Sequence, residues 1–161
     1  MAEINADFIC KRLTPTYLDI PAQSVTDREM STTAAVATGK LKHRFQPGYS
    51  QPNTASTTET KTIFVARQIG AISEIVAGSI TAAIGKATVT IDLKKNNVSV
   101  MTTIITLDNA NVARTVEVGV LDATKTTLAI GDWLEIVITA TVGTGTLPTG
   151  LFMEVVLDMN S

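Results

Sequence analysis

From residue 61 onward the chain never sustains a helical period, and this limits it to β architecture more firmly than any other feature. Short β-branched runs follow one another, separated by Gly, Asn and Asp. Residues 87–93 alternate cleanly: Val89, Ile91 and Leu93 face one way, and Thr88, Thr90 and Asp92 the other. That is the period of a half-buried strand. Residues 94–97 form a polar turn and 98–107 a return strand, giving the best hairpin in the chain. Further strands are expected at 62–67, 72–76, 113–120, 133–142 and 151–158. Roughly seven or eight strands joined by turn residues predict an all-β, antiparallel β-sandwich. Its strand order could be jelly-roll-like or immunoglobulin-like.

The first sixty residues have a different composition. They hold every proline except Pro148, and the single histidine. Residues 46–60 are polar and punctuated by Pro and Gly, which predicts extended loop. Residues 13–21 also read as extended, because each proline pushes its preceding neighbour out of helical space. Their apolar members, Leu13, Tyr17, Leu18 and Ile20, need a surface to cover them. Thr26 and Glu29 have capping-box spacing, so a short helix over 26–38 is expected, stopping at Gly39. The organisation predicted is an extended N-terminal arm, 1–60, and a β-sandwich body, 61–161.

The last strand departs from simple alternation. Leu151, Met153, Val155 and Leu157 share one face, while Phe152 and Val156 lie on the other. A sheet wetted on one side should not be apolar on both. Either the strand is central and covered twice, or its outer face packs on another subunit.

Composition and motifs exclude several function classes. Charged residues make up only 17% of the chain, so part of its surface is expected to be covered by partners. A net charge of -2 gives no electrostatic reason to bind nucleic acid or an anionic membrane. Cys10 is the single cysteine, so no internal disulfide is expected, consistent with synthesis in a reducing cytosol. The first residues carry acids where a signal peptide would carry bases, and no apolar run is long enough for a membrane-spanning helix. Cys10 and His43 alone cannot make a His/Cys zinc site, nor do they lie in a recognisable triad context. Asp132 and Glu135 are close in sequence, but Asp132 follows Gly131 at a strand start and is expected to shape that turn. Neither catalysis, nor a cofactor, nor a metal is expected. Lys40, Lys42, His43 and Arg44, followed by Phe45, form the one basic cluster, suited to an acidic protein surface more than to nucleic acid.

Several stretches resemble structural proteins of tailed bacteriophages. Residues 33–47, an Ala-rich run leading into Lys40-Leu41 and ending His-Arg-Phe-Gln-Pro, are similar to a segment of such proteins. The body is similar to small β-rich virion proteins at 87–96 (Ala-Thr-Val-Thr-Ile-Asp-Leu-Lys-Lys-Asn), 103–108, 131–140 and 143–152. The resemblance implies a capsid decoration, or cement, protein: made in the host cytoplasm, bound to the capsid exterior, and bracing copies of the major capsid protein. It also implies a homo-oligomer, with a trimer favoured. On that reading Lys40, Leu41, His43, Arg44, Phe45 and Tyr49 are candidate inter-subunit contacts, and Phe152 and Val156 candidate oligomer contacts. The alternative is a carbohydrate- or receptor-binding sandwich of a tail or fibre, with a platform near Trp133 and Tyr49.

Overall fold

The structure, a computed structural model, describes residues 42–160. Cys10, Lys40, Leu41 and the helix expected over 26–38 lie outside the described residues. Within them, regular structure is entirely β. The strands are β1 (Lys42–Phe45), β2 (Gly48–Ser50), β3 (Glu59–Val65), β4 (Gly70–Ser79), β5 (Ile84–Gly85), β6 (Thr88–Lys95), β7 (Val98–Ser99), β8 (Met101–Thr103), β9 (Ile105–Leu107), β10 (Val116–Val118), β11 (Val120–Leu121), β12 (Thr127–Leu128), β13 (Trp133–Thr141), β14 (Gly145–Thr146) and β15 (Leu151–Asn160).

Two sheets carry the molecule, and every strand pair is antiparallel. The first runs β1–β15–β4–β10, with β2 beside β1 along β15 and β12 beside β10 along β4. The second runs β3–β13–β6–β7, with β9 following β7 along β6. β1 and β2 are one edge strand interrupted at Pro47, whose carbonyl still accepts the Val155 N–H at 3.0 Å. A proline is tolerated there because the edge asks for fewer donors. Likewise β7 to β9 are one broken strand, and β10 and β11 another. The eight long strands, numbered along the chain, are then ordered 1-8-3-6 and 2-7-4-5. This is the jelly-roll arrangement, so the sandwich expected from sequence is present and its strand order is settled.

β10 and β11 also close one side of the sandwich. β10 pairs with β4 in the first sheet, and β11 crosses to pair with β8 beside the second. The crossing residue is Gly119, whose N–H reaches Ile75 O at 2.9 Å. A Cβ at this position would strike Met101, Ile75 and Ile105, so the close approach requires glycine.

The alternation read from sequence fills the core. Ile91 and Leu93 lie opposite Ile138 and Ile136 across the β6–β13 pair, Val89 and Leu134 extend the row at its two ends, and all six are fully buried. Leu151, Val155 and Leu157 supply the opposing sheet. Truncating one such side chain, for example Leu134→Ala, would cost about 3 kcal/mol. In β4 the core residues Ile72 and Ile75 are three apart, not two. Pairing with β15 jumps from Glu74 to Ile72, leaving Ser73 as a bulge that returns both isoleucines to one face.

The boundary between arm and body needs correction. Residues 42–60, expected in the arm, include β1, β2 and the start of β3. They join the sheet through backbone pairing to β15, which requires no apolar alternation in the edge strand. The return strand at 98–107 is also less regular than expected, breaking at Val100 and at Ile104.

Candidate functional site

The candidate contacts fall on two surfaces. One is the edge strand β1–β2. His43, Arg44 and Phe45 are exposed, and no strand among the described residues pairs with the free edge of β1. Arg44 Nε lies 3.4 Å from Asp158 Oδ1, and Gln46 Nε2 donates to Glu154 Oε1 at 2.9 Å. These two contacts fix the side-chain direction along the strand. Phe45 sits opposite buried Leu157, yet is itself 46% exposed, on the edge strand of its sheet. Lys42 contributes backbone pairing to the same strand.

Tyr49 is placed differently from its neighbours. It packs against the core, and its hydroxyl donates to Glu59 Oε1 at 2.6 Å. The Gln51 amide donates to the same carboxylate oxygen and to Thr57 O. This group fastens β2 of one sheet to β3 of the other. The Tyr49 hydroxyl first, and the Gln51 amide next, hold the Glu59 carboxyl below its ordinary value. In return, the bond to Glu59, with burial and the nearby negative charge, pushes the Tyr49 hydroxyl up to about 12.

The other surface is the outer face of the first sheet, where Phe152 and Val156 lie. Register places Ser50, Phe152, Gly78 and Val116 in one row across four strands, and Gly48, Glu154, Val76 and Val118 in the next. The small residues leave a shallow open depression of about 390 Å³ beside Phe152. A second, of about 460 Å³, lies among Arg44, Glu74, Val118 and Val120. Phe152 is half-buried and Val156 buried, so β15 is a central strand whose outer face is only partly covered.

The valines of this face were not singled out from sequence. Val116, Val118 and Val120 alternate with Glu117 and Gly119, and alternation alone would send the valines inward. Here they are 50%, 60% and 54% exposed. The core side at this edge is already filled by Met101, Ile75 and Ile105, which leave room only for Gly119.

Trp133 stands apart from Tyr49. It pairs with Val65, the last residue of β3, while Tyr49 reaches Glu59, the first. About 20 Å of strand separates them, so they do not form one platform. Asp132 shapes its turn as expected: it accepts from the Ala129 N–H at 2.8 Å and from Asn96 Nδ2 at 2.7 Å, and these bonds hold its pKa below the usual carboxylate value. Glu135 is half-exposed on the outer face of the second sheet, between buried Leu134 and Ile136. Among the described residues, no group of three or more His, Cys, Asp or Glu is placed to hold a metal ion.

No protein-family model matches the chain, and no curated protein matches it. Among solved structures it is similar to a chain in the structure of infectious bursal disease virus, Gt strain, at 15% identity and a TM-score of 0.26. The likeness covers 91% of this chain and 44% of that one, so this chain spans less than half the length of its match. At this TM-score the likeness carries no argument about function.

Proposed function

We propose that this protein is a structural component of a virion that binds the outside of a phage capsid and braces neighbouring capsid subunits. The observation that carries the reading is the edge strand β1. It presents exposed Phe45 at the end of a basic segment, and its outer edge is free of a strand among the described residues. An exposed aromatic beside Arg44 and His43 suits docking on an acidic protein surface, since aromatic and Arg side chains dominate the energetics of interfaces. The resemblance of residues 33–47 to a phage virion segment supports the same strand. Lys40 and Leu41 immediately precede it in the chain and are proposed to share the contact.

The mechanism is mechanical. Each docked copy adds buried apolar area, at about 25 cal/mol per Å², to contacts that a shell must break when stressed. Ordering of chain on docking offsets part of the gain. Purified protein mixed with undecorated shells of the major capsid protein should co-sediment with them and raise their disruption temperature. Phe45→Ser and Arg44→Glu should each weaken binding while leaving the body folded. Shells that neither bind the protein nor gain stability would overturn the reading. Binding to immobilised glycans that is lost in Trp133→Ala would favour the carbohydrate alternative instead.

A further inference from the structure

We propose that the edge strand β1–β2 is an acid-released strap: acidification through the carboxylate range frees residues 42–50 from the rest of the jelly roll while the core stays folded. The release stands apart from the decoration reading; only its consequence at the shell rests on that reading.

Among the described residues, every side-chain hydrogen bond made by residues 42–50 ends on a carboxylate: Arg44 on Asp158, Gln46 on Glu154 and Tyr49 on Glu59. The strand pairs of β1 and β2 are with β15 alone, at the edge of the sheet. An edge strand held in this way lies at the low end of local stability. Protonation turns each carboxylate from a charged acceptor into a neutral acid, and the bonds it accepts weaken. The core has no such dependence, since Ile91, Leu93, Leu134, Ile136, Leu151 and Leu157 are apolar and fully buried. The chain just beyond the strap is also held by neutral groups. Gln51 Nε2 donates to Thr57 O at 2.8 Å, the Thr57 N–H to Gln51 Oε1 at 3.0 Å, and Ser56 Oγ to Pro148 O at 2.8 Å. Residues 51–57 therefore stay anchored when the strap leaves.

Glu59 is the strongest of the fastenings. It accepts from the Tyr49 hydroxyl and the Gln51 amide, and Lys61 Nζ lies 3.7 Å from its other oxygen. The β13 residue opposite, Ile138, is apolar. The Tyr49 hydroxyl first, and the Gln51 amide next, hold the Glu59 carboxyl below its ordinary value. The stabilisation is complete above that ordinary value and is lost as pH falls through the folded-state value. Asp158 faces Arg44 from β1, and Glu74 of β4 borders the same depression as Arg44. Glu154 faces Gln46, and the residues opposite it in register, Gly48 and Val76, are uncharged. His43 lies opposite Met159 rather than a carboxylate, so the release does not run through its ring.

Hydrogen exchange of the full-length chain, followed by mass spectrometry from neutrality to about pH 3 and corrected for the intrinsic amide rate, tests this. Protection of residues 42–50 should fall about tenfold before that of 134–138 and 151–157 changes. Glu59→Gln keeps the shape and removes the charge. It should lower protection of 42–50 at neutrality and flatten its pH dependence, whereas a merely structural role would lower protection and leave the pH dependence as in wild type. Should that variant fail to fold by circular dichroism, the wild-type profile decides alone. Protection of 42–50 that persists to about pH 3, or that is lost together with the core, overturns the strap, as does a Glu59→Gln profile parallel to wild type. Decorated shells should shed wild-type protein over the same interval. Copies that stay on shells while exchange shows the release would leave the strap standing and overturn docking through β1.

Discussion

Tyr49, Gln51 and Glu59 join three side chains from two short stretches, the end of β2 and the start of β3, and the acid–base balance of that group should be measurable. Glu59 is held below its ordinary 4.5 by the Tyr49 hydroxyl and the Gln51 amide. A carboxyl lowered in the folded state stabilises the fold above its ordinary value, and that contribution is lost as pH falls through the folded-state value. Tyr49, pushed up from 10 to about 12, acts at the other limit: its contribution is complete below 10 and is lost as pH rises toward 12. Urea unfolding at a series of pH values should therefore show stability dropping below 4.5. Tyr49→Phe should cost about 1 kcal/mol near neutrality and flatten that acid drop. An acid profile unchanged by the substitution would mean the bond does not fasten the two sheets.

At the scale of elements, turn geometry and strand crossing make sharper demands than composition does. The β6–β7 hairpin turns on Asn96 and Asn97, with φ of 50° and 68°. Two successive positive values match the tight hairpin turn that follows the twist of the strands. Asn97→Val should cost about 1–2 kcal/mol by thermal unfolding, and Asn97→Gly nothing, since only the β-branched residue resists that backbone. Gly119→Val should cost about 3 kcal/mol, as its side chain has no space between Met101, Ile75 and Ile105. These elements also show what was legible beforehand. Val89, Ile91 and Leu93, Asn96-Asn97 and the 133–142 strand carry their structure in local pattern. β1 and β2 do not, because an edge strand is recruited by the backbone of β15 and can be polar throughout. The basic and aromatic residues at 43–45 were recognisable by chemistry alone. The valine face was hidden because alternation defines two faces without saying which is buried, and at β10 the packing of Met101 against Gly119 reverses the usual choice.

For the molecule as a whole, the consequence of that recruited edge is a specific truncation result. A chain beginning at residue 42 keeps both four-strand layers, the core and the Tyr49–Glu59 fastening. A chain beginning at residue 61 loses β1, β2, the Arg44–Asp158 and Gln46–Glu154 contacts, and Glu59. Its first sheet would then end at β15, a strand of ten residues with apolar side chains on both faces. A long, flat, apolar edge is a template for pairing between chains. Residues 42–161 should unfold in one cooperative transition. Residues 61–161 should melt about 10 °C lower and aggregate on concentration. Capsid binding separates the roles further: the chain from 42 retains Phe45 and lacks Lys40 and Leu41, so it should bind shells more weakly than the full chain while remaining folded. If the chain from 61 proves as stable as the chain from 42, the edge strand is an appendage to the jelly roll, and its exposed aromatic would have to be explained by docking alone.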